Sequence, residues 1–188
     1  MNRYCLYLLA ACLALTCGTA SAQEIIHAVS GTVKAIYPKA YMLEINTDDG
    51  SSGHFQWEAK LTKKVDFNKN VSADATAIDA FSRKGAHVIV YYYGTGEIRN
   101  VVAVRDLGDA AVTTMQGSVV KLDKHDRVLT VKVADGTQEL HLDPKTVVDT
   151  VTGVQDEFKY GLDKGVEVSV VTAQANGAPV ALLINPAI

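Results

Sequence analysis

The chain has 188 residues, of which 48% are hydrophobic and 21% charged, a balance that supports a packed core and argues against intrinsic disorder. Its formal net charge of -3 offers no basic surface able to displace counterions from a phosphate backbone, so nucleic acid is not an expected partner. The length suits one medium domain or two small ones, and an internal repeat favours two.

The N-terminus reads as a targeting segment. Met1, Asn2 and Arg3 form a short positive start, Tyr4 to Leu15 an apolar run, and Ala20-Ser21-Ala22 a small-residue cleavage site. The expectation is a signal peptide over residues 1–22, cut after Ala22, and an exported chain, periplasmic or secreted, without a transmembrane anchor. An uncleaved anchor competes, but the uncharged stretch is barely long enough to cross a bilayer. A lipoprotein competes too, because Leu9-Ala10-Ala11-Cys12 resembles a lipobox. Against it, the apolar Leu13-Ala14-Leu15 follows Cys12 where a polar tether is usual. Cys5, Cys12 and Cys17 are the three cysteines and all lie in this leader, so neither a disulfide framework nor a thiolate metal site is expected in the exported chain.

Next, Ile25 to Ile36 reads as a strand ending at Pro38. Tyr41, Leu43 and Ile45 alternate with Met42, Glu44 and Asn46, the period of a half-buried strand. Asp48-Asp49-Gly50 supplies a tight hairpin, after which Phe55 and Trp57 face one way and His54, Gln56 and Glu58 the other. Leu61 to Lys84 interrupts the strand rhythm, and Asp74 there is placed to cap a short helix through Ala75, Ala77, Ile78 and Phe81. Ala86 to Tyr93 is a strong strand that turns at Gly94-Thr95-Gly96 and returns through Ile98 to Val104. Arg105 to Gln116 lacks strong periodicity and reads as a connector.

The same order then recurs from Gly117 to Leu142, with Leu129, Val131 and Val133 alternating and Asp135-Gly136 turning. Asp156 to Lys164 is a second interruption, Val166, Val168 and Val170 alternate, and Asn176-Gly177 turns a last hairpin that closes through Val180 to Ile184. The expected fold is all-β: two tandem small OB-like β-barrels, each of about five strands with a short helix or loop between the third and fourth. An open sandwich of the same strands is the competing architecture, because periodicity does not report closure. The expected domains are copy one over residues 23–107, a linker over 108–113 and copy two over 114–188.

At Gly31-Thr32-Val33, Gly117-Ser118-Val119, Leu129-Thr130-Val131, Asp135-Gly136, Lys164-Gly165-Val166-Glu167-Val168 and the closing hairpin, the chain resembles an uncharacterised family of exported bacterial small-barrel domains, often found in tandem. The resemblance implies the fold and no activity. Copy one departs from it by the longer insertion after Trp57 and by Ser51-Ser52-Gly53 in its hairpin.

Motifs with known chemistry are sparse. There is no G-x-S-x-G elbow, and Gly94-Thr95-Gly96 joins two strands rather than opening a phosphate-binding helix. His27, His54, His87, His125 and His141 have no spacing that places two imidazoles together for a metal. Asn46 to Gly50 lacks the alternating ligands of a calcium loop and reads as a hairpin turn. No catalytic residue, metal or cofactor is therefore expected.

The most informative feature emerges when the copies are overlaid at Gly85 and Gly165. His87, Ile89, Tyr91 and Tyr93 then face out of copy one where copy two has Glu167, Ser169, Val171 and Ala173. This aromatic face is the candidate contact surface. Three fates are open to it: packing against copy two or the intervening helix, meeting a partner, or forming a sugar-stacking platform. The functional expectation is a non-catalytic binding or scaffolding protein of the bacterial cell envelope, with an envelope protein or polysaccharide as partner. The alternative is an enzyme or small-ligand binder, sugar included, with its site between the copies.

Overall fold

The computed structural model describes residues 24–58, 75–108, 111–156, 162–175 and 177–187. The expected leader lies outside these ranges. Copy one contributes β1 (His27–Tyr37), β2 (Met42–Thr47), β3 (His54–Gln56), β4 (Thr76–Ala77), β5 (His87–Tyr93) and β6 (Ile98–Asp106). Copy two contributes β7 (Val112–Asp123), β8 (Val128–Val133), β9 (Gly136–Thr150), β10 (Gly153–Asp156), β11 (Glu167–Ala175) and β12 (Ala178–Pro186).

Both copies close. β1 pairs with β2 and β5, β2 with β3, β5 with β6, and a parallel β3–β6 contact completes a five-strand ring. In the second copy β7, β8, β9, β12 and β11 form the same ring, again with one parallel closure, β9 to β12. This is OB-type strand order, and closure leaves few free edges. The sandwich alternative is thereby excluded.

The repeat extends to irregular details that periodicity does not report. The first strand of each copy carries a register shift, between Val33 and Ala35 in β1 and between Val119 and Lys121 in β7. The fifth carries another, with Val102 of β6 bulged opposite Tyr91 and Tyr92 and Leu182 of β12 bulged opposite Val171 and Thr172. Such bulges bend a strand enough to bring a small barrel round on itself. Gly31 and Gly117 serve the same end: a Cβ on either would collide with a backbone carbonyl of the next strand, that of Asn46 or of Lys132.

Each barrel is filled by the inward half of its alternating strands. Leu43, Ile45, Phe55, Val88, Val90 and Val101 belong to the first core, and Leu129, Val131, Leu140, Val168 and Val170 to the second.

Four local expectations are corrected. Tyr41 is a left-handed residue (φ 53°) that follows a 3-10 turn at Pro38–Ala40, so β2 starts at Met42 and Tyr41 is exposed. The helix expected through Phe81 is, over its described part, the short strand β4 followed by a 3-10 turn, Ile78–Ala80; its expected cap, Asp74, lies outside the described residues. The connector is shorter than expected, because β6 continues to Asp106 and β7 already pairs at Val112. Finally, β9 runs on to Thr150 and folds back as β10, a hairpin that the sequence pattern did not announce.

Among the described residues, no helix is long and apolar enough to cross a membrane.

Candidate functional site

Ile89, Tyr91 and Tyr93 lie outside the first barrel, as the two-residue alternation of their strand predicts. They are not on the molecular surface, however: they are 0%, 1% and 3% exposed. A third apolar cluster lies between the barrels, joining these three residues with Ile26, Ala28 and Ala103 of copy one to Val147, Val171, Leu182 and Leu183 of copy two. The candidate contact face is therefore covered by the second copy and is not available to a separate partner. The physical reason is symmetry of position. Tyr91 pairs with Ala103 in β6 as Val171 pairs with Leu183 in β12, so each copy brings the same outer patch to the junction, and large rings from one meet smaller aliphatic groups from the other.

Polar contacts frame this junction. The His27 imidazole Nδ1 lies 3.0 Å from Asp149 Oδ1, and the Ala28 amide donates to Asp149 Oδ2 at 3.0 Å. Val154 N–H donates to the Ile26 carbonyl at 2.8 Å, so β10 holds the chain just before β1. Gly153, at φ +94°, makes that approach feasible, since a Cβ there would sit 2.5 Å from the same carbonyl oxygen. Arg105, itself buried, donates from Nη1 to the Lys145 carbonyl at 2.6 Å. The hydrogen bond to Asp149 raises His27 above its usual 6.5, against the opposing effect of burial.

His87, the fourth residue of the face, is engaged elsewhere. Its Nε2 lies 2.9 Å from Asp48 Oδ2, and the hydroxyl of buried Ser30 donates to the same oxygen at 2.6 Å. Burial pushes Asp48 up, but the hydrogen bonds from His87 and Ser30 and the His87 charge outweigh it and leave the carboxyl below its ordinary value. The residue types are those of a hydrolase triad, yet the order is wrong for one. A nucleophilic serine needs the imidazole as its base, whereas here both groups converge on the carboxylate. The set pins the β2–β3 hairpin to β1 and β5.

The inner end of the first barrel holds an unexpected cation. Arg99 is 7% exposed, with Cζ 4.7 Å from the Phe55 ring centroid and 4.4 Å from that of Tyr92. Burial pushes the Tyr92 phenol above its usual range, and the Arg99 charge opposes that rise.

Comparison with known protein families, characterised proteins and solved structures finds no match to this chain.

The two closed five-strand barrels fit a small tandem β-barrel protein in this coarse sense. Among the described residues there is no group of three or more His, Asp or Glu arranged to hold a metal. Exposed aromatic surface remains at the β1–β2 turn of copy one, where Tyr37 and Tyr41 flank the 3-10 turn and Tyr41 meets Trp57 edge-on, centroids 5.9 Å apart. Overlaying that turn on the second copy would have found it, because Asp123 to Arg127 takes its place there.

Proposed function

We propose that this chain is an exported, non-catalytic binding or scaffolding protein of the bacterial cell envelope. The observation that carries the non-catalytic part is the convergence of Ser30 and His87 on one oxygen of Asp48. That geometry uses an imidazole and a hydroxyl to hold a hairpin and leaves Ser30 without a base. The junction supports the same reading from another side. Its apolar filling favours two barrels acting as one rigid body over a solvent-filled cleft where an enzyme or sugar site between the copies would sit. Export rests on the leader and its Ala20-Ser21-Ala22 site. Of the surfaces available to a partner, Tyr37 and Tyr41 supply large rings with polar tips, where the second copy has charged residues.

Fractionation of expressing bacterial cells, with intact mass of the recovered protein, tests export: the expected species begins at Gln23. A cytoplasmic species retaining its leader, or a lipid-bearing species beginning at Cys12, overturns the soluble exported reading. Crosslinking from the position of Tyr37 in envelope extract tests binding, with an adduct lost in the Tyr37→Ser, Tyr41→Ser double variant as the expected result. An adduct that survives the double variant overturns the assignment to this turn.

A further inference from the structure

Arg99 has a feature that its ring contacts do not account for. Phe55 and Tyr92, with centroids 5.5 Å apart and planes tilted by 59°, form a corner against which the guanidinium sits. The ring faces stabilise the cation, and the Tyr92 hydroxyl hydrogen-bonds the guanidinium, but neither contact reaches Nε or Nη2. Nε and Nη2 are both buried, and neither has a hydrogen-bond partner. These two donors form the side-on edge of the guanidinium, the edge that grips two oxygens of a carboxylate or phosphate in parallel. Leaving them unpaired in a buried position is strongly unfavourable.

The second copy serves as an internal control. At the positions of Arg99, Tyr92 and Phe55 it has Pro179, Thr172 and Leu140, and the Thr172 hydroxyl simply donates to the Thr113 carbonyl at 3.1 Å. The same barrel closes this end without a cation, so the fold does not demand one. Nor, among the described residues, does a carboxylate of the first copy pair with Nε or Nη2. The carboxylates whose charge reaches Tyr92 are Asp49 and Asp149; Asp49 accepts the Ser51 amide, and Asp149 is held by His27 and Ala28.

We propose that the Phe55–Tyr92–Arg99 corner is a receptor for one oxyanionic group, a carboxylate or phosphate, borne by a small molecule or a polymer end. This inference is independent of the surface at Tyr37 and Tyr41. Both donors are closed to bulk water, so an anion reaches them by displacing the side chains that cover them.

The decisive measurement follows the Arg99 Nε–H resonance of the isotopically labelled chain, assigned through bonds from its own side chain, during titration with sodium acetate, sodium phosphate and, at matched ionic strength, sodium chloride. The expected result is a saturable displacement of that resonance by acetate or phosphate and not by chloride; the tighter of the two curves identifies a carboxylate or a phosphate ligand. Arg99→Lys keeps the charge and loses the fork, and its affinity for the same anion should fall at least about tenfold. A resonance that stays in place, or that moves equally with chloride, overturns the receptor. The titration of the unsubstituted chain decides this even if the variant does not fold.

Discussion

Asp149 reaches from the second barrel to two consecutive residues of the first, taking the His27 imidazole on one carboxylate oxygen and the Ala28 amide on the other. Because the contact lies at the rim of the apolar junction, it couples the charge of one histidine to the docking of the barrels. The folded state raises the His27 value above its ordinary 6.5. Its stabilising contribution is therefore complete below 6.5 and is lost as pH rises through the higher folded value. The unfolding free energy from urea titrations across that window should fall with rising pH by on the order of 1 kcal/mol or less, the imidazole being part-exposed. Asp149→Asn should flatten this decline, and an unchanged slope in that variant would remove His27 as its source.

The junction also sets the cost of losing the tyrosines. Exterior rings are removed at little expense, on the order of 1 kcal/mol or less, whereas buried aromatics cost roughly 3 to 5 kcal/mol each. Tyr91 and Tyr93 are buried between the barrels, so Tyr91→Ser and Tyr93→Ser should each fall in the upper class by chemical denaturation. Their double variant need not be the sum, because both belong to one cluster.

Separating the copies should expose the same cluster from both sides. Chains covering residues 23–110 and 111–188 each retain a complete ring of five strands, yet each leaves one half of the junction in water. Each half is expected to melt below the intact chain, and mixing the two should restore stability and give a one-to-one complex by sedimentation. Halves that melt like the intact chain and ignore each other would show that the junction contributes no stability.

Asp48 predicts sensitivity on the acid side. Its folded value lies below the ordinary 3.8 despite burial, so its contribution is present above 3.8 and is lost as pH falls through the lower folded value. Asp48→Ala should cost about 1 to 3 kcal/mol near neutrality, chiefly because the buried Ser30 hydroxyl loses its acceptor. Ser30→Ala in the same background should recover part of that loss, and a simple sum of the two single effects would contradict the shared-oxygen geometry.

What the sequence determined by itself is the all-β class, the two copies and their strand order, since two-residue periodicity and turn residues are local properties that each segment carries without its neighbours. It also determined that Ile89, Tyr91 and Tyr93 lie outside the first barrel, because inward and outward follow from alternation alone. Closure of each ring, the repeated bulges and the β9–β10 hairpin were decided by tertiary structure, through the fit of one strand to another. The fate of the outer tyrosines was decided there too. Alternation states which way a side chain leaves its own sheet but not what meets it, and only the docking of Val171, Leu182 and Leu183 turns that aromatic face into core. Arg99 is the sharpest case. An arginine beside a turn reads as solvated, and its burial in the Phe55–Tyr92 corner depends on barrel curvature that brings together residues distant in sequence.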